Sequence, residues 1–296
     1  MVVTRDATSP ASGLALIPAL LGLVRFSHTV FALPFALAGA LLARLEWPTL
    51  ATLWWILVAM VGARSLAMAL NRLIDADIDA KNPRTASREL PSGRLSSQQV
   101  VVFSAVSFLL LLLAVSQLPP LTWVLWPIPV IAFVLYPYTK RMTWLCHLAL
   151  GLTIGLAPMG AWIAVTGSIA PAAVLLWLAV AAWIAGFDII YALLDIDFDR
   201  ANGIRSVPER FGPDVALRIT RLLHVAAIVL LAAAGFAAGA GVVYQMGVVA
   251  CAAVLAYENA TVDPKDEGKV QAAFGSANMV MAALFAVFVI AEVSFS

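Results

Sequence analysis

The chain has 296 residues, of which 62% are hydrophobic and 12% charged, with a mean hydropathy of +0.96 and a formal net charge of +1. A soluble domain carries about 25% charged residues, so the composition excludes an ordinary water-soluble fold and points to a chain whose solvent is mostly lipid. The net charge is silent on nucleic acid, because the distribution of charge matters more than its sum, and neither nucleic acid nor a protein partner is expected.

The first apolar stretch, 13–24, is shorter than the roughly 20 residues a transmembrane helix needs. Arg25 and His28 interrupt it and no convincing cleavage site follows. Residues 1–26 therefore read as a segment lying on the membrane surface and not as a signal core. Nine spans are then predicted, over 27–45, 50–72, 98–117, 121–137, 145–166, 171–193, 221–239, 241–257 and 272–293. Gly239 and Gly241 make the only break between the seventh and eighth. The fold class is an all-α integral membrane protein forming one domain over 1–296. Trp47, Trp123 and Trp144 near span ends read as interfacial anchors. Pro83 and Pro91 end the second helix and shape the loop after it, and Ser96 with Gln99 makes a capping box for the third. Cys146 and Cys251 lie in or beside apolar runs without metal-ligand spacing and read as structural thiols.

Lys and Arg are retained on the cytoplasmic side. With the N-terminus inside, 16 of the 18 basic residues fall on that side; Arg44 lies outside and Arg64 lies within a span. The expected location is the inner (plasma) membrane, multi-pass, with two long cytoplasmic loops at 73–97 and 195–220. Long ordered loops beside helix ends are where function concentrates.

Those loops follow two matching motifs. The second span ends Asn71-Arg72-Leu73-Ile74-Asp75-Ala76-Asp77-Ile78-Asp79, and the sixth ends Tyr191-Ala192-Leu193-Leu194-Asp195-Ile196-Asp197-Phe198-Asp199. Spacing of four places Asn71, Asp75 and Asp79 on one helical face, and likewise Tyr191, Asp195 and Asp199, while Asp77 and Asp197 point elsewhere. Like-charged carboxylates at this spacing repel, and burying them near hydrocarbon is costly. A cation must compensate. Mg²⁺ suits, because it takes a few carboxylates plus phosphate oxygens and keeps some waters. One such cluster reads as a solvated helix end; two copies in the same register, each trailed by an arginine-rich loop, do not. The arginines of those loops, Arg84 and Arg88 in the first and Arg205 and Arg210 in the second, bind phosphate oxygens in pairs and stay charged. Together these features predict a site for a magnesium-bridged diphosphate.

The paired motifs resemble those of the UbiA superfamily of intramembrane aromatic prenyltransferases, over nearly the whole chain. Asn71, Asp75 and Asp79 meet the family's first motif, Asn-x-x-x-Asp-x-x-x-Asp. Asp195 and Asp199, preceded by Tyr191, meet its second, and Arg84-Thr85-Ala86-Ser87-Arg88 meets its Arg-Thr-x-x-Arg segment. The resemblance implies nine helices around a cytoplasm-facing cavity and transfer of a polyprenyl group from polyprenyl diphosphate to an aromatic hydroxy-acid such as 4-hydroxybenzoate, with Mg²⁺ as cofactor. The chain is most similar to the 4-hydroxybenzoate polyprenyltransferase-like group, yet has Asn71-Arg72 where the ubiquinone enzymes usually have Asn-Asp. The segments 25–35 and 157–164 resemble a branch associated with menaquinone made by the futalosine route, whose acceptor is a dihydroxynaphthoate. A superfamily member acting on haem or a chlorophyll precursor is a further alternative.

Several polar residues lie beside the motifs. Arg64, two turns before Asn71, either holds the acceptor's carboxylate or pairs with Asp188, which lies seven residues before Asp195 and faces the same cavity. Lys140 and Arg141 either help bind phosphate or serve only the positive-inside rule. His28 is a weak candidate for substrate contact, and His147 and His224 read as structural. From another class, a cation-coupled transporter also places acids and an arginine within a bundle, but near mid-membrane.

Overall fold

The computed structural model describes residues 10–24 and 33–295. Arg5, Arg25 and His28 lie outside the described residues, as do the start of the predicted first span and most of the 25–35 segment. The described chain is all-helical. A 3₁₀ turn, Gly13–Ala15, leads into α1 (Leu16–Leu23), and α2 (Leu33–Leu42), α3 (Leu50–Ile74) and the short α4 (Ala76–Lys81) follow. Next come α5 (Ser97–Ser116), α6 (Pro120–Leu125), α7 (Pro127–Met142), α8 (Cys146–Thr166) and α9 (Pro171–Ala192). The chain continues through α10 (Ile196–Asn202), α11 (Val207–Phe211), α12 (Pro213–Ala238), α13 (Val242–Thr261), α14 (Glu267–Ala272) and α15 (Asn278–Phe295).

Among the described residues, 8 helices are long and apolar enough to cross a membrane, with α6–α7, α9–α10 and α14–α15 each counted as one. The predicted span at 27–45 is represented only by the 10 residues of α2. Two other boundaries move. The seventh predicted span starts earlier, at Pro213, because Gly212 at φ 78 turns the chain and Pro213 suits the first helical turn. Much of the predicted 195–220 loop is thereby helical. The last span starts at Glu267, where the Asp266 side chain caps α14 by accepting from the Lys269 amide.

Local chemistry explains the remaining ends. Ser96 and Gln99 form the reciprocal capping box, at 3.2 and 2.9 Å. Asn82 takes an extended conformation before Pro83, which stops α4. Gly239, in the left-handed region at φ 76, ends α12 and lets α13 turn back. Glu292 of α15 then accepts from the amides of Gly241 and Tyr244, satisfying the start of α13 from across the bundle.

The most buried of the spans is the one formed by α9 and α10. In its apolar 18-residue stretch 72% of the residues are buried, against 11% for α6–α7, so α9 is the central post, between α8 and α12. An aromatic stack joins it to its neighbours, with Phe35 4.8 Å from Trp183 and 5.0 Å from Phe285, ring centre to ring centre. The Trp183 indole donates to Asn278 Oδ1 at 2.7 Å, so this polar group carries no desolvation cost. Small residues let backbones touch: a Cβ at Gly39 would stand 2.2 Å from the Pro158 carbonyl oxygen, which fixes glycine at the α2–α8 crossing. On α5 the apolar Val101, Val102, Val106, Leu109 and Leu113 face outward, as a surface against lipid requires.

Candidate active site

Both acid motifs break their helices at the same place. At the end of α3, Asp75 adopts φ −95, ψ 3, and α4 begins immediately after it. At the end of α9 a 3₁₀ turn, Leu193–Asp195, leads to Asp195 at φ −114, ψ 6, and α10 begins. Both lie in the sparsely populated bridge region, where many active-site residues sit. The duplication therefore extends from sequence to backbone. In each copy the later aspartates occupy the first turn of the new helix, where the helix dipole favours acids. Asp75, Asp79 and Asp199 are buried and Asp195 is partly so, whereas Asp77 and Asp197 are exposed.

Each inward carboxylate has close partners. Asp75 accepts from Asn71 Nδ2 at 2.8 Å and pairs with Lys140 Nζ at 2.7 Å, with Arg141 3.6 Å away. Arg141 also donates to the Ile74 carbonyl at 2.5 Å, closing the end of α3. Asp79 receives both its bonds from Arg88 Nη1, at 2.7 Å, and Arg72 stands 3.7 Å away. Asp195 is held from the other half of the molecule, by Asn82 Nδ2 at 2.9 Å and by the Arg84 guanidinium, whose Nε lies at 3.0 Å. Arg84 donates as well to the Tyr191 hydroxyl, and its charge sits 4.6 Å from the centre of that ring. Burial works against the Arg84 charge. The bond and the charge of Asp195, with the Tyr191 hydroxyl, overcome it and hold the guanidinium above its ordinary range. Asp199 accepts from Ser206 Oγ at 2.9 Å.

These groups wall a cavity of about 360 Å³. Asn71, Asp75, Asp79, Arg84, Arg88, Lys140, Asp195, Asp199 and Arg205 line it, with Arg64 and Asp188. Tyr191 is not in the wall. Its ring stacks on Phe274, which is, with 4.0 Å between centres. Phe274 belongs to a π-helical turn, Ala273–Ala277, a feature frequent at functional sites. The Arg205 guanidinium donates to the Met142 carbonyl at 2.6 Å, tying the second loop to the end of α7. Arg64 and Tyr136 also line a second cavity of about 320 Å³, walled by Ile56, Met60, Ala63, Leu111, Phe133 and their apolar neighbours. A polar chamber thus adjoins an apolar one, with Arg64 at the junction.

Asn82, Ser206 and Tyr136 line the site without having been singled out by sequence reasoning, and His147, read there as structural, lines it too. Asn82 carried a usable signal, since Asn82 and Asn202 each stand seven residues after the first aspartate of their motif. His147 carried none. Its Nδ1 lies 2.7 Å from Asp188 Oδ2, so Asp188, the alternative partner foreseen for Arg64, is hydrogen-bonded to a histidine.

Among the described residues, no three acid, His or Cys side chains converge as a ready-made metal cage. The carboxylates come instead as two pairs facing one cavity, and the buried Asp75 Oδ1 has no hydrogen bond. This donor set fits a hard divalent ion that takes one or two carboxylates and completes its shell with water and phosphate oxygens. The acids lie where α3 and α9 end, not midway along them, which disfavours a transporter's mid-membrane relay.

Fold and site together define a polytopic helical membrane protein with a duplicated acidic chamber at one end of its bundle. The chain matches the UbiA prenyltransferase family over residues 32–287. It is 32% identical over 260 residues to a 4-hydroxybenzoate octaprenyltransferase of Aliivibrio salmonicida, covering 83% of this chain and 90% of that one. In structure it is similar to a UbiA homologue from Aeropyrum pernix K1, with a TM-score of 0.82, 34% identity and coverage of 90% and 98%. A UbiA homologue from Archaeoglobus fulgidus, solved bound to GPP and Mg²⁺, shares the fold at a TM-score of 0.71 and 20% identity, with coverage of 93% and 99%. The chain belongs to the UbiA prenyltransferase family. It is a membrane-embedded prenyltransferase.

Proposed function

We propose that this protein transfers a polyprenyl group from polyprenyl diphosphate to a ring carbon of 4-hydroxybenzoate or a similar aromatic hydroxy-acid, with Mg²⁺, in quinone biosynthesis. One observation carries the reading: a chamber lined by paired aspartates and by Arg84, Arg88 and Lys140 lies against an apolar one, the two sharing Arg64, Tyr136 and Ala157 in their linings. A charged head and a hydrocarbon tail on one substrate fit that pair. The name of the Aliivibrio relative supports the acceptor, and the Archaeoglobus homologue's ligands agree with the head group.

The residues divide the work. Asp75, Asp79, Asp195 and Asp199 would hold Mg²⁺, which when bound would neutralise diphosphate charge. Arg84, Arg88, Lys140 and Arg205 line the same chamber and stabilise the negative charge that develops as the allylic C–O bond breaks. Asn71 orients Asp75, and Tyr191 orients Arg84. The apolar wall excludes water, which would otherwise capture the allylic cation before the ring carbon ortho to the phenol attacks it and gives up its proton to a base. Ile128 lines the apolar chamber and is 54% exposed on the lipid-facing surface, so a long tail has a route into the bilayer. Arg64, at the junction, receives the acceptor's carboxylate, and Asp188 faces the same space.

A second acceptor, a dihydroxynaphthoate in menaquinone biosynthesis, is favoured by one observation. The 157–164 segment, whose sequence resembles that branch, borders both chambers through Ala157. Membranes containing the protein, given geranyl diphosphate, Mg²⁺ and either acceptor, should yield a prenylated 4-hydroxybenzoate identifiable by mass. EDTA should abolish the product and added Mg²⁺ restore it. Product from the naphthoate alone selects the second reading, and product from neither overturns both.

The inner membrane with both loops cytoplasmic completes the proposal. Ser87→Cys and Arg200→Cys, each exposed, placed singly in a variant lacking Cys146 and Cys251, should resist an impermeant thiol reagent in intact cells. Both should label in inside-out vesicles. Labelling in intact cells reverses the orientation.

A further inference from the structure

His147 belongs to α8, is 4% exposed, and borders the polar cavity beside Asp188. Asp188, whose side chain is 25% exposed against 5% for His147, is the more accessible member of the pair. Both imidazole nitrogens are engaged. Nδ1 lies 2.7 Å from Asp188 Oδ2, and Nε2 lies 3.3 Å from the backbone amide of Val207, the first residue of α11. A backbone amide can only donate, so Nε2 must be the acceptor, and the neutral ring carries its proton on Nδ1. The Val207 amide therefore selects the tautomer, and the tautomer directs a hydrogen bond at Asp188. Such an arrangement, a ring locked at one nitrogen so that the other orients a carboxylate, is how histidine holds a neighbour in register.

The surroundings reinforce the lock. Ser206, next to Val207, bonds Asp199, and Cys146, next to His147, donates through Sγ to the Arg205 carbonyl at 3.3 Å. The start of α8 is thus stitched to the strand of chain that follows the second acid motif. Both ring nitrogens are taken within the protein, so although the ring borders the cavity it keeps no free nitrogen for a substrate, and Asp188 is the more exposed of the two.

We propose that His147 is a positioning residue that fixes the Asp188 carboxylate toward the aromatic acceptor and links the second acidic loop to the acceptor's end of the chamber. This rests on the reading of the chamber as a prenyl-transfer site. An asparagine amide nitrogen occupies the place of Nδ1, and a glutamine amide reaches the place of Nε2. His147→Asn should therefore keep the bond to Asp188, and His147→Gln and His147→Leu should lose it.

Kinetics for the wild type come first: failure to prenylate any aromatic acid defeats the functional reading itself. Given turnover, His147→Leu and His147→Gln should raise the acceptor KM or lower kcat so that kcat/KM for the acceptor falls about 10-fold or more, the scale of a lost bond to a charged group. The prenyl-diphosphate KM should stay within about two-fold of wild type, the signature of an interaction confined to one substrate. His147→Asn should recover most of the loss. In an Asp188→Asn background, His147→Leu should add nothing, because the two act through one bond. The proposal is overturned if Gln outperforms Asn, if both substrates' constants move together, if the two losses add, or if no variant alters the acceptor constants. Should His147→Leu not accumulate in membranes, the Asn and Gln pair decides the matter alone.

Discussion

Asp75→Asn and Asp195→Asn each lower prenyl transfer by about 10²- to 10³-fold or more, the loss seen when one preorganised electrostatic group is removed from a reaction centre, while the protein still accumulates in the membrane. The substitution keeps the side chain's size and removes its charge, so packing at Asp75, which is 2% exposed, is preserved. Lys140 and Asn82 retain an oxygen to bond. What disappears, under the proposed function, is the affinity of the pair for a divalent ion. The measurement is turnover at saturating Mg²⁺ beside the yield of detergent-extracted protein. Near-normal turnover in either variant removes the carboxylates from the site's chemistry. A matching Asp77→Asn, at the exposed aspartate between the pair, should keep activity close to wild type and so separates register from bulk charge.

Arg64→Gln raises the acceptor KM or lowers kcat and leaves the prenyl-diphosphate KM nearly unchanged. Arg64 lies seven residues before Asn71 on α3, about 10 Å deeper at 1.5 Å per residue. It borders both chambers, below the ring of aspartates. An aryl carboxylate there meets a guanidinium in a bidentate pair, in surroundings that screen little. A fixed Arg64–Asp188 pair, the competing reading, makes both residues structural. Arg64→Gln and Asp188→Asn would then share a loss of folded protein, and Asp188 would depend on Arg64 and not on His147, its partner at 2.7 Å. A selective rise in the diphosphate KM, with intact yield, assigns Arg64 to the other substrate.

Much of this site was legible because it is periodic. The four-residue spacing of Asp75 with Asp79 and of Asp195 with Asp199 told which carboxylates turn inward, and the exposed Asp77 and Asp197 agree. The pairing of loop and motif across halves was not legible. Arg84 and Asp195 are 111 residues apart and no local pattern links them. The break at Asp75 and Asp195 was also hidden, since nothing in the apolar run before each motif marks where the helix yields to the bridge conformation. His147 looked like any polar residue in a hydrophobic helix, and only the amide of Val207 reveals its use. Where spans were misplaced, at Pro213 and Glu267, capping residues extended helices beyond the apolar stretch that hydropathy senses.

The clamp from Arg84 to Asp195 also sets a clock on the making of this protein. Chains emerge from the ribosome at about 5–20 residues per second, so the 111 residues between these partners take roughly 5–20 s to follow. During that interval Arg84 and the first acid motif are already at the membrane while the central helix α9 is still to come. Lys140, only 65 residues after Asp75, arrives sooner and can quiet that buried carboxylate first. The first half thus has the Asp75–Lys140 pair within its own sequence, and that pair persists in the finished structure beside the later Arg84–Asp195 clamp.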